Sequence, residues 1–256
     1  MFPIAHVWLL ERVVAAPTPA HYLGCVWPDM LFGSPLGHVE SHQRGAELLA
    51  FARARQRREA PGSEELLAFV TGALSHGSQP HGFDWYSDEA WGGQPPEAKG
   101  YAFQRGLPLA DATAAACRLA PEFGAWKAHN IVEMAFEVPL HTADPRLGER
   151  FVAAGRDAAL VARIAGPLGE FFGKPAEALA AAMTIFARYW VVPDAVATLA
   201  HIYALQVRAK HQVPDPDEAA IAGLIARATD LIAPDRDAYL AACVQEVGAM
   251  LRAMGV

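Results

Sequence analysis

The chain has 256 residues, 53% of them hydrophobic, and a formal net charge of -7. That is ample apolar material for a sizeable core and excludes a disordered chain. The acidity also excludes a broad electrostatic grip on nucleic acid, while leaving room for a local, metal-centred hold on a single phosphate. Cys25, Cys117 and Cys243 lie far apart with no Cys-x-x-Cys spacing, which excludes a disulfide scaffold and a thiolate zinc knuckle and points to a reducing compartment.

The opening stretch "MFPIAHVWLLERVV" is apolar almost all round. It predicts a helix over about residues 3–15 with His6 buried. It lacks a basic leader and is interrupted by His6 and Glu11, so it makes a poor signal peptide. No stretch reaches the roughly 18 uninterrupted apolar residues of a membrane span. The expected location is the cytoplasm. Next, "HYLGCVWPDMLFGSPLGHVESHQ" sets Asp29 after Pro28 among Leu23, Val26, Trp27, Met30 and Phe32. A carboxylate in such surroundings is costly unless compensated; a metal ion compensates it, and so does a turn-capping role. His38 and His42 follow a helical turn apart, ahead of a helix expected over 42–57.

From Ser63, "SEELLAFVTGALSHG" offers a serine N-cap, two early glutamates suited to the helix dipole, and apolar residues at 66, 67, 70, 73 and 74. It predicts a helix ending near Gly77. On the stripe Phe69, Gly72, His76 the missing side chain at Gly72 leaves room for another helix or an ion. The segment from Gln79 to Leu107 is non-periodic, and its aromatics Trp85, Tyr86, Trp91 and Tyr101 suggest an ordered cover over a site. "PEFGAWKAHNIVEMAFEV" predicts a helix starting at Pro121 and stopping before Pro139. In it His129 and Glu133 stack on one face, with Glu122 and Glu137 close to the same stripe. Such a pair suits a hard or borderline metal and is equally a common surface partnership. Further helices are expected over about 146–165, 175–191, 194–211, 216–232 and 235–254, parted by Pro/Asp turns. Strand alternation is nearly absent, so the fold expected is a single all-α domain over 1–256, with a metal-site half over 1–141 and a helical half over 142–256.

Eight of the ten histidines lie in the first 141 residues. Read in order, "AHVWLLERV", "YLGCVWPDM", "SHQRGAELL", "FVTGALSHGSQPHGFDWYSD" and "HNIVEMAFE" resemble the zinc-dependent phospholipase C family, whose fold is shared with secreted single-strand nucleases. The resemblance covers roughly residues 5–137 and rests mainly on "LGCVWPD" and "GALSH". It implies a metal site among helices with His6, Asp29, His42, His76, His129 and Glu133 as ligands. Where family members carry an aspartate four residues after the helix histidine, this chain has Pro80, with His81 and Asp84 nearby as substitutes. The family's N-terminal tryptophan ligand has no counterpart in Met1-Phe2-Pro3, so one or two ions are expected rather than three.

Nitrogen and oxygen donors without thiolate suit zinc and also Fe, Mn or Ni. The resemblance implies a metal-dependent hydrolase acting on a small phosphoester, such as a phospholipid head group or nucleotide, with Asp29 as ligand or as the group that orients or deprotonates the water. The alternatives are a metal-binding helical protein without catalysis and a helical protein whose histidines are structural. HExxH, GxSxG, P-loop and Rossmann glycine patterns are missing.

Overall fold

The computed structural model describes residues 3–30, 35–92, 99–189 and 195–256. Among them are fourteen α-helices and no strand, only an isolated bridge between Ala90 and Lys99. The expected all-α class is what is found. No described helix is long and apolar enough to cross a membrane.

The chain divides into two compact units, neither of them continuous in sequence. The first comprises Pro3–Trp85, Pro145–Trp190 and Ala242–Val256; the second is built from Tyr86–Asp144 and Val191–Ala241. The first unit holds α1 (Pro3–Val13), α2 (Pro19–Val26), α3 (His38–His42), α4 (Gly45–Arg57) and α5 (Ser63–His76), joined by α9 (Arg146–Arg156), α10 (Ala158–Phe172) and α11 (Ala176–Tyr189). In the second, α6 (Tyr101–Gly106), α7 (Ala110–Ala116) and α13 (Glu218–Ile232) pack around α8 (Gly124–Ala143), and α12 (Val196–His211) lies along α13. The last helix, α14 (Arg236–Ala253), begins in the second unit and ends in the first.

Several boundaries differ from expectation, each for a local reason. The helix expected over 42–57 is two, broken at Gln43 and Arg44. The one expected over 146–165 is also two: the Asp157 carboxylate accepts hydrogen bonds from the amides of Ala159 and Leu160 at 3.0 Å, the geometry of an N-cap that starts α10 afresh. Ser63 is the first residue of α5 rather than its cap, because Gly62 takes the cap with φ +73°, a left-handed conformation that glycine adopts at no steric cost. Pro139 does not stop α8, which runs on to Ala143. A proline there forfeits one backbone hydrogen bond, and burial of Phe136 and Leu140 on either side holds the helix together. The short helices α2, α6 and α7 escaped the sequence reading. Phe32 and the chain around 190–194, where two expected helices meet, lie outside the described residues.

The closest helix pair in the first unit is α2 against α5, and two glycines make it so. A β-carbon on Gly24 would lie 1.9 Å from the Phe69 carbonyl oxygen, and one on Gly72 would lie 2.2 Å from that of His21 and 2.8 Å from the Cys25 amide. The space beside Gly72 is therefore filled by a helix, one of the two occupants its sequence position suggested. Because the obstructing atoms are backbone, neither site relaxes by a side-chain rotation. Gly24→Ala and Gly72→Ala are each expected to destabilise the protein by about 1–3 kcal/mol or more, read as a lowered urea midpoint, whereas Gly223→Ala, which meets nothing within 4 Å, should be neutral or slightly stabilising. Wild-type midpoints for the first two would contradict the close α2–α5 contact.

Candidate metal centre

The α2–α5 contact sets the first imidazole. His76 ends α5, fully buried, and its Nδ1 lies 2.6 Å from the carbonyl oxygen of Cys25 on α2. A carbonyl only accepts, so Nδ1 carries the proton and Nε2 is left as a lone pair. The chain beyond α5 is tied to α3: the amides of Ser78 and Gln79 donate to the carbonyl oxygen of His42, at 3.0 and 3.1 Å. A turn then closes with the amide of Gly82 on the Gly77 carbonyl at 2.8 Å, returning the chain so that Asp84 lies over the end of α5. His6 arrives from α1 and lies flat against His76, ring centroids 3.6 Å apart and 6° from parallel.

Three imidazoles thus surround one carboxylate. Asp84 is 3% exposed, with His76 Nε2 at 3.1 Å, His42 Nε2 at 3.4 Å and His6 Nε2 at 3.4 Å. Asp29 ends the 3₁₀ turn Trp27–Asp29, and its Oδ1 lies 3.8 Å from His76 Nε2 and 3.9 Å from His42 Nε2. Its apolar neighbours Trp27 and Met30 are buried, while its own side chain keeps 27% exposure. Two overlapping sets, His6 with Asp29 and His76, and His42 with His76 and Asp84, have donor atoms within 4.8 Å of one another.

The donors fit a cation. Both ring nitrogens of His6 and Nε2 of His76 are buried without an aligned hydrogen bond, and unsatisfied buried polar atoms are uncommon and call for an explanation. Lone pairs of imidazole and carboxylate facing one another repel unless a proton or a metal ion lies between them. The proton equilibria carry the same signature. Burial penalises the Asp84 charge, yet the chain's terminal amino charge, with His76, His42 and His6 adding to it, holds its carboxyl well below the usual range. Burial also disfavours a charged His76, and the carboxylates of Asp84 and Asp29 outweigh it and raise its pKa. His6, lowered by burial and then by His76, falls to about 4. Two carboxylates and three neutral imidazoles balance the charge of one divalent ion, and buried His/Asp clusters of this kind could hold one.

The remaining expected ligands divide. His81 is exposed and stacks on Trp85 at 3.8 Å, 1° from parallel; it is outside the cluster, whereas Asp84 lies within it. A turn of irregular chain, not helical spacing, carries Asp84 inward. His129 and Glu133 lie in the second unit, where Asp88 joins them in a further group of metal-capable donors. There the protein's own groups already engage the ligand atoms. Ser87 donates to Glu133 Oε1 at 2.8 Å, and the Asn130 amide approaches Glu133 Oε2 at 3.3 Å and His129 Nε2 at 2.8 Å. Phe103 stacks on the His129 ring at 4.4 Å, and burial lowers the His129 pKa to about 4. Glu137 is buried outside these groups, and Glu122 is exposed. Of the aromatics expected to cover a site, Trp91 packs instead on Tyr101 and Tyr239 within the second unit.

Asp88, Ser41 and His38 were not singled out as site residues from sequence. Asp88 follows Asp84 by four positions, a spacing that in an irregular aromatic segment gives no reason to choose it. Compared with family models, with curated proteins and with solved structures, the chain matches none. The resemblance to the phospholipase C family rests on the sequence blocks alone.

A pH dependence follows from these shifts. His6 and His129 stay neutral in the folded protein down to about 4, while the unfolded chain protonates them near 6.5. Between those values the unfolded state binds more protons, so stability is lost as pH falls through that window. His76, raised, acts in the opposite sense, and Asp29 and Asp84 matter only below 3.8. With two buried histidines against one, the melting temperature of chelator-treated protein should fall between pH 6.5 and 4.5. A flat or rising profile by circular dichroism would contradict this balance.

Proposed function

We propose that the protein binds a divalent transition-metal ion, zinc by preference, through His6, Asp29, His42, His76 and Asp84, and uses it to hydrolyse small phosphoesters. The observation that carries the metal is the convergence of three buried imidazoles on Asp84, two of them with Nε2 within 3.4 Å of the same carboxylate oxygen. Imidazole and carboxylate without thiolate suit zinc, and Mn, Fe or Ni by the same donor chemistry. Phosphoester chemistry is supported by the ordered sequence blocks that resemble the zinc-dependent phospholipase C family.

A bound ion would supply Lewis acidity and lower the pKa of a water from about 15.7 toward about 7. The chain's own residues do the rest. Asp84, buried, fixes the three rings. Asp29, with part of its side chain exposed, is the member that meets incoming water and substrate, orienting the attacking water by accepting its hydrogen bond. Water oxygen bonds to phosphorus, the ester P–O bond breaks, and the proton received at Asp29 passes to the departing alkoxide. A second ion at Asp88, His129 and Glu133 would require the Asn130 amide to release His129 Nε2.

Elemental analysis of untagged protein is expected to find one tightly held ion per chain. Bis(p-nitrophenyl) phosphate should be turned over by the loaded protein, not after chelation, and again on adding Zn²⁺. Asp84→Asn keeps size but removes the charge shared by three imidazoles, and should lower metal affinity at least about tenfold and abolish turnover. Loaded wild type without turnover would leave a metal-binding protein that does not catalyse; absence of metal even after reconstitution would remove both readings.

A further inference from the structure

Two of the three imidazoles in the centre have Nδ1 tied down, by different means. His76 uses the main-chain carbonyl of Cys25. His42 uses its neighbour: Nδ1 lies 2.8 Å from Ser41 Oγ, with the His38 carbonyl oxygen further off at 3.2 Å. Ser41 is buried, and its Oγ lies 3.2 Å from the carbonyl oxygens of both Gly37 and His38. Those carbonyls accept only, and either is placed to take the hydroxyl hydrogen, just as the His38 carbonyl is placed to share the His42 Nδ1 proton. The Ser41 oxygen is then left to accept, and what it accepts is the Nδ1 proton of His42. In that arrangement the helix carbonyls at the far end set the direction of the chain of bonds. At its near end, His42 Nε2 is a lone pair facing Asp84 and Asp29. The His38 ring covers the outer face of His42, centroids 4.0 Å apart and 29° from parallel.

We infer that Ser41 is a positioning residue that holds His42 in the Nδ1–H tautomer and at the angle that presents Nε2 to the metal. The inference rests on the proposed metal centre and adds to it a residue that touches neither metal nor substrate. Outer partners of this kind commonly govern metal affinity by about 10–100-fold. The Ser41 hydroxyl can be removed by a substitution, whereas the Cys25 carbonyl survives any change of side chain.

The test uses full-length protein in two measurements. In ¹⁵N-labelled, metal-free protein at pH 8, the His42 proton is expected on Nδ1 and slow to exchange with solvent. In Ser41→Ala it should exchange faster, the weaker bond to the His38 carbonyl being all that remains, and Ser41→Thr should restore slow exchange. Co²⁺ affinity, read by competition with a chromophoric chelator, should fall about 10–100-fold in Ser41→Ala and return in Ser41→Thr. A wild-type His42 proton found on Nε2 overturns the inference without any variant, as does a Ser41→Ala protein whose exchange and Co²⁺ affinity match wild type. Wild-type protein that binds no Co²⁺ defeats the metal reading by itself, while the exchange measurement still decides the role of Ser41.

Discussion

Lone pairs that face one another in a buried space are the constraint on which this centre depends. Asp84 is buried among His6, His42 and His76, and the Cys25 carbonyl holds the His76 Nδ1 proton on the far side of its ring. That tautomer leaves His76 Nε2 with no proton to offer a carboxylate oxygen 3.1 Å away. An added positive charge reconciles the arrangement. In the absence of metal that charge is a proton, which is why His76 is pushed toward the charged form against the penalty of its own burial. A metal ion would replace the proton and take several lone pairs at once, among them that of one ring nitrogen of His6, both of which are buried without an aligned hydrogen bond.

The helix packing exists to keep those lone pairs together. Gly24 and Gly72 let α2 and α5 approach until backbone meets backbone, and that approach brings the Cys25 carbonyl within reach of His76. A larger residue at either glycine would push the helices apart and free the His76 ring to take its other tautomer. The His42 carbonyl, meanwhile, accepts the amides of Ser78 and Gln79, which locks the end of α3 to the chain that leads to Asp84. Core packing and ligand geometry are thus one set of contacts, and a change in the first is felt in the second.

How much of this could be read from sequence depended on whether a residue's position followed from periodicity. His6, His42 and His76 sit in or at the ends of helices whose apolar patterns are plain, and Asp29 stands out because an apolar run makes its charge conspicuous. Asp84 follows Pro80 in a segment without a period, so nothing in its spacing separates it from His81, three positions earlier and exposed. Helices α2, α6 and α7 are eight residues or fewer, too short to display an amphipathic repeat. The helix break at Gln43 and Arg44 carries no proline, and the one at Asp157 depends on a capping aspartate that a helical pattern tolerates equally well on an exposed face.

The two groups of donors show why a ligand-like composition alone does not make a ready metal site. Asp88, His129 and Glu133 have the right atoms, but Ser87 and Asn130 already donate to the Glu133 carboxylate, and Asn130 faces His129 Nε2. Tyr203 in turn places its hydroxyl 3.3 Å from Asn130 Oδ1, which orients the amide with its donors toward His129 and Glu133. There the polar network answers its own carboxylate with neutral donors, and a cation must displace a hydrogen bond to enter. Around Asp84 three imidazoles converge on one buried carboxylate, and a cation there would take ring lone pairs, with the Asn130 contacts of the other group having no counterpart at these rings' Nε2 atoms. The difference lies in how the surrounding polar groups already use the ligand atoms: the Asn130 amide contacts His129 Nε2 and Glu133, whereas His76 Nε2 and both ring nitrogens of His6 are buried without an aligned hydrogen bond.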